Sequence, residues 1–129
     1  GLVGGLLTSR VNGNTLLAAS GHVRPNAAIP GSAANKLAGK QSDIRKIIAQ
    51  LKPYRRVVVA GDFSTSAARA LFLAAGYTLA TPWVDTMDKA GVQRVDQIFI
   101  RGLTNGSGSA IKTSVSDHHA LLASLTLGA

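Results

Sequence analysis

Apolar positions along this chain switch between a period of two and a period near 3.6, and the switches divide it into strands and helices. Val3 to Ser9 reads as a strand, Asn12-Gly13-Asn14 as a hairpin turn, and Thr15 to His22 as the returning strand. Pro25, Pro30 and Gly31 make the stretch from Arg24 to Ala34 a loop. Leu37, Ile44, Ile47, Ile48 and Leu51 recur at helical spacing, Lys36, Lys40, Arg45 and Lys46 lie off that stripe, and Pro53 follows the helix end. The unbroken run Val57-Val58-Val59-Ala60 reads as a buried strand that ends in a glycine turn at Gly61. Ser66 is placed to cap a second helix running to about Ala75, where Gly76 stops it. Thr81 to Gln93 is a long irregular connection. Strands follow at about Val95 to Ile100, Ala110 to Val115 and His119 to Leu127, so the pattern is α/β, without repeats, heptads or low-complexity linkers.

Three segments carry candidate chemistry. The first strand-end carboxylate is Asp62, in Gly61-Asp62-Phe63-Ser64. A carboxylate at the end of a rigid strand is well placed to hold a metal or a phosphate, although Gly-Asp also makes an ordinary surface turn. Asp96 lies inside the strand Arg94-Val95-Asp96-Gln97-Ile98-Phe99-Ile100. Strands disfavour Asp, so it calls for a partner, either a neighbouring Arg or a functional group. In Ser116-Asp117-His118-His119-Ala120, an Asp and a His sit just before the last apolar strand, as a functional pair or as a capped turn with exposed imidazoles.

Taken together and in this order, these segments resemble the endonuclease/exonuclease/phosphatase superfamily, which includes pancreatic deoxyribonuclease, abasic-site endonucleases, bacterial sphingomyelinases and inositol polyphosphate 5-phosphatases. Its signatures are Gly-Asp-Phe-Asn after a strand, Arg-X-Asp-X-Ile in a later strand, and Ser-Asp-His before the last. A fourth element, Leu16 to His22, is similar to the strand that ends in the family's first catalytic His. The resemblance covers nearly the whole chain but only the second half of a family domain, which runs to roughly 250 residues. It implies half of a four-layer α/β sandwich, a mostly antiparallel sheet with two helices packed on one face, as a single partial domain over residues 1–129. The chain opens on Gly1, as a trimmed or partial product would.

What the resemblance implies chemically is phosphoester hydrolysis with Mg2+ or Mn2+. His118 would be the general base, and Asp96 would hold its far ring nitrogen. Asp117 would help hold the metal, and Asp62 would orient water or bind a second ion. His22 would donate to a phosphate oxygen or assist the leaving group. Ser64, standing where the family has Asn, would be a catalytic and substrate-binding residue that offers one short hydroxyl in place of an amide. Arg10, in Leu7-Thr8-Ser9-Arg10, is similar to a family segment that contacts phosphate, and a salt bridge or solvated end is its other reading. The family's strand-end Asn and metal-binding Glu belong to the first half, and all six acidic residues here are Asp. His119, on the face opposite its neighbour, is expected not to be catalytic. Trp83 is expected to be a packing residue, and Asp85 and Asp88 solvated loop carboxylates, since the glycine and glutamate of a calcium loop are missing.

Composition narrows the partners. Apolar residues make up 46% of the chain, enough for a modest core, and aromatics only 5%, so that core is expected to be Ala, Val, Leu and Ile. Fourteen Lys and Arg leave a net charge of +8, spread without a basic run, which suits a phosphate-containing substrate, nucleic acid or an anionic surface as well as plain solubility. Leu2 to Leu7 is too short to span a bilayer and lacks the basic start of a leader, so no transmembrane segment is expected. With no cysteine, the compartment stays undetermined. Three functional classes remain: a metal-dependent hydrolase completed by the missing N-terminal half, an inactive anion- or nucleic-acid-binding fragment, and a self-associating half-domain.

Overall fold

The computed structural model describes residues 1–87 and 94–128. The hairpin forms as the pattern requires, with β1 at Leu2–Thr8 and β2 at Thr15–His22, and Gly13 takes the left-handed conformation in the turn, φ +72°. A 3-10 turn at Asn26–Ala28 leads to α1, Ala33–Leu51, whose first turn is capped by the Ser32 hydroxyl accepting from the Asn35 amide. Then come β3 at Val57–Asp62, α2 at Ala68–Ala74, a two-residue β4 at Thr78–Leu79 and β5 at Asp96–Arg101. These five strands form one sheet in the order β1-β2-β3-β5-β4, in which β2 and β3 run parallel and the other pairs antiparallel. Because β2 and β3 are parallel, the chain needs a crossover between them, and α1 supplies it. The last strands, β6 at Thr104–Ile111 and β7 at Ala120–Thr126, make a separate antiparallel pair.

Both helices pack on one face of the large sheet. Ile44, Ile47 and Leu51 from α1 and Ala68 and Phe72 from α2 bury against Leu17, Val57, Val59 and Phe99. The centre of this core is aromatic, contrary to the aliphatic core expected from composition. Phe72 stacks on Phe99 at 4.3 Å between ring centroids, and Phe63 and Tyr77 meet Phe72 edge-on at 5.3 and 5.2 Å. Few aromatics are present, but a large planar side chain fills the space between helix and sheet best, so they collect there. Arg101 closes the far end of this layer by donating from Nη2 to the carbonyls of Leu51 and Tyr54, at the C-terminal end of α1.

Three local expectations are corrected. The strand expected at Ala110 to Val115 is β6, six residues earlier in its start, because pairing with β7 overrides the poor strand propensity of its Gly, Ser and Asn. Ser66 does not cap α2; its first turn has no side-chain cap, and the Thr65 hydroxyl accepts from the Ala67 amide instead. Lys40 is not on the solvent face of α1 but buried, 7% exposed. Asp88 lies outside the described residues.

A two-pronged ion pair ties the exit of β2 to α1. Arg24 donates from Nε and Nη2 to the two oxygens of Asp43 at 2.8 and 2.9 Å. This holds the Asp43 carboxyl below its ordinary value, chiefly through the Arg24 hydrogen bond. A depressed carboxylate contributes stability above its unfolded pKa, and loses it as pH falls through the folded one. Asp43→Asn is therefore expected to lower the melting temperature at pH 7 and to narrow its gap from the parent protein as the pH drops below about 4. Melting curves across pH 2 to 7 check this, and an unchanged melting temperature at pH 7 would remove the ion pair from the account.

Candidate active site

Strand register alone gathers three of the expected side chains into one row. His22 ends β2, Asp62 ends β3 and Asp96 opens β5, and the pairing sets His22 beside Asp62 and Asp62 beside Asp96. Side chains alternate along a strand, and Val57, Val59 and Phe99 face the helices. The row of His22, Asp62 and Asp96 therefore stands on the opposite face, at one rim of the sheet.

Two glycines bring the strands to this rim. Gly21 pairs with Gly61, and a Cβ on Gly61 would collide with the Gly21 carbonyl. A Cβ on Gly21 would stand 3.3 Å from the Phe63 ring, so the bare backbone leaves room for Phe63 to turn under the sheet, fully buried. The Phe63 amide donates to the Val95 carbonyl at 2.9 Å, which locks the residue after Asp62 onto the residue before Asp96.

Asp62 is held by its own turn. Its Oδ1 accepts from the Ser64 amide at 2.7 Å and from the Ser64 hydroxyl at 3.3 Å, and its Oδ2 lies 4.0 Å from His22 Nε2. Ser64 pays for this geometry with φ +52°, the left-handed region. Lys40 reaches from α1 to donate from Nζ to the Ser64 carbonyl at 2.6 Å. Burial lowers the Lys40 pKa most, Lys36 adds to that, and the negative Asp62 opposes it.

Asp96 finds its partner across the second sheet. His118 Nδ1 lies 2.7 Å from Asp96 Oδ2, with both side chains largely shielded from solvent. The hydrogen bond to Asp96 raises the His118 pKa, burial opposes it, and the charges of Asp96, Asp62 and Asp117 add to the rise. A buried Thr86 sets this approach. Its hydroxyl accepts from the Asp96 amide at 3.1 Å and its carbonyl from the His119 amide at 2.7 Å, and the next residue, Met87, bridges to His118.

The donor atoms of Asp62, Asp96 and His118 all lie within 4.8 Å of one another, a set able to hold a divalent ion. Asp117 is exposed and outside that set, although its charge reaches His118. Arg10 lies in the β1–β2 turn, at the opposite end of the strands from His22, on the order of 20 Å away at strand rise. At that distance it is not part of the Asp62–Asp96–His118 cluster.

Three residues of the site were not assigned to it from the sequence. Thr86 sits in an irregular segment with no periodic signal. Lys40 did carry one, since it stands on the 40-44-47-51 stripe where an apolar residue is expected. His119 lines the cleft of about 210 Å³ formed with Ala60, Asp62, Asp96, Ile98 and Leu121, and its Nδ1 accepts from the Thr113 amide at 3.3 Å. Trp83 lies between two guanidinium groups, Arg69 and Arg94, at 5.2 and 5.3 Å from its ring centre.

No protein-family model matches the sequence, and no curated protein matches it. Solved structures do match its fold. An endonuclease/exonuclease/phosphatase from Bacteroides vulgatus superposes with a TM-score of 0.75 at 20% identity, covering 98% of this chain and 55% of that one. One from Beutenbergia cavernae gives 0.77 at 16% identity, over 98% and 39%. D. rerio TDP2, complexed with a single-strand DNA product, gives 0.70 at 18%, over 97% and 61%. The chain thus has the endonuclease/exonuclease/phosphatase fold and spans about half the length of these structures, as half of the layered sandwich.

Two measurements follow. In metal-free protein, the His118 ring is expected to titrate above the ordinary value of 6.5, and Asp96→Asn to return it toward that value. A raised imidazole pKa contributes stability below the unfolded value and loses it as pH rises through the folded one, so the parent's advantage over Asp96→Asn should shrink with rising pH. Proton NMR of the imidazoles reads the first effect and melting curves the second. Separately, Ser64→Asn is expected to raise stability by about 1 kcal/mol, since Asn tolerates the left-handed region. Denaturant unfolding checks it, and a loss of stability would place the fit of the side chain above backbone strain.

Proposed function

We propose that this chain carries the catalytic rim of a divalent-metal-dependent phosphoester hydrolase, of nuclease or phosphatase type. The observation that carries the reading is the Asp96–His118 pair at 2.7 Å beside Asp62. Asp96 fixes the imidazole by its Nδ1, which leaves Nε2 to take a proton from an attacking water. His22, exposed at the rim, can donate to a phosphate oxygen. Asp62 and the second oxygen of Asp96 are the carboxylate groups left over for an ion, and oxygen donors of this kind suit Mg2+ or Mn2+. Such an ion would neutralise charge on the phosphate. Asp117 remains a candidate ligand on the same loop as His118. Ser64 serves by holding Asp62, not by reaching the phosphate as an Asn would.

A net charge of +8 favours a polyanionic substrate, and TDP2, whose structure contains a DNA product, makes nucleic acid the first class to assay. Full turnover is assigned to this rim together with the complementary half of the fold, because the resemblance places a metal-binding Glu there and this chain has none. The same lack of Glu favours one second reading, an anion-binding unit without turnover.

Hydrolysis of supercoiled plasmid and of bis(p-nitrophenyl) phosphate, with Mg2+ and with Mn2+, separates the readings. His118→Ala is expected to lower the rate by about 10²- to 10⁴-fold, the usual worth of a general base. Asp62→Ala should remove both activity and the paramagnetic broadening that Mn2+ causes at Asp62, Asp96 and His118. Parent-level activity in both variants refutes the hydrolase assignment. Amide shifts at the rim on titration with inorganic phosphate, with no Mn2+ broadening and no hydrolysis, support the anion-binding unit.

A further inference from the structure

A second cleft, of about 300 Å³, adjoins the rim on the helix side and is lined by Asn26, Ala33, Lys36, Leu37, Lys40 and Thr65. Lys36 and Lys40 are four residues apart on α1 and so share one face. None of the six lining residues is acidic, while Asn26 and Thr65 add neutral polar groups. Lys36 is half-buried, and Lys40 is only 7% exposed. An ammonium carries three donors, and the Ser64 carbonyl takes one from Lys40. Lys36 and Lys40 repel each other, Asp62 offsets this at Lys40, and a bound anion would give Lys36 a counter-charge as well. The cleft is also wired to the rim. Lys40 holds the Ser64 carbonyl, and the Ser64 amide holds Asp62.

We propose that this cleft is an anion subsite that takes a second phosphoryl group of the substrate, beside the one engaged by Asp62, Asp96 and His118. The assignment rests on the phosphoester reading and narrows it to substrates with two neighbouring phosphates, as in a nucleic-acid strand or a bisphosphorylated nucleotide. A lysine that merely staples the Ser64 turn would explain Lys40 alone. Lys36 makes no such bond to the turn, so it separates the two accounts.

The test compares thymidine 3′,5′-bisphosphate with thymidine 5′-monophosphate, titrated with Mg2+ present and followed by amide shifts at Thr65 and Lys36 and at Asp96 and His118. The bisphosphate is expected to move both sets and to bind about tenfold tighter, the scale of one charge-assisted hydrogen bond. Lys36→Gln should erase that margin, and its helix propensity is close enough to Lys for the fold to persist. Lys52→Gln removes the same charge about 24 Å further along α1 and should preserve the margin. Equal affinities in the parent protein, or a margin that survives Lys36→Gln, overturn the subsite. An equal fall in both variants also overturns it, as an effect of net charge. A margin that holds while the Asp96 and His118 amides stay unmoved keeps the anion site and removes the phosphoester reading of the rim.

Discussion

The close approach of β2 and β3 at Gly21 and Gly61 is the constraint on which the site depends. At this point the two parallel strands leave no room for a side chain on the helix side. That absence lets Phe63 fold beneath them into the aromatic cluster, and the buried ring anchors the backbone that carries Asp62. Burying a phenyl group contributes about 2–3 kcal/mol, far more than any exposed contact at the rim. Hydrophobic packing on one face of the sheet therefore positions the polar row on the other.

Around that anchor the site is built from hydrogen bonds between elements distant in sequence. Thr86 holds the amides of Asp96 and His119, so a single buried hydroxyl-bearing residue joins the large sheet to the β6–β7 pair. Lys40 holds Ser64, and Ser64 holds Asp62. Asp62 Oδ1 is engaged by Ser64 and Asp96 Oδ2 by His118, and donor atoms of the three side chains lie within 4.8 Å of one another. A strongly basic chain thus sets two carboxylates, Asp62 and Asp96, side by side at one rim, with Lys40 bonded to the turn that follows Asp62. This distribution suits a metal and a phosphate together better than either alone.

Departures from the resembled pattern have physical readings. The φ of +52° at Ser64 is a conformation that Asn adopts more readily than Ser. Ser64 holds it through two hydrogen bonds to Asp62 and one from Lys40. Asp117 is exposed and lies outside the cluster of Asp62, Asp96 and His118.

From residue order alone, the α/β class, the hairpin, β3 and both helices could be read, while it took the resemblance to a family to group Asp62, Asp96 and His118. Those features are local: alternation, helical period, glycine turns and short motifs report on neighbours a few residues away. Register decided the rest. Pairing of β6 with β7 moved a strand onto Gly- and Ser-rich residues whose own propensity argues against it. Burial of Lys40, the role of Thr86 and the aromatic core all depend on contacts between segments 20 or more residues apart or on loops without a period. Arg10 shows the limit most plainly: its segment resembles a family motif, yet antiparallel pairing carries it to the far end of the sheet from His22. A motif names a side chain, but only the pairing of strands decides which rim it reaches.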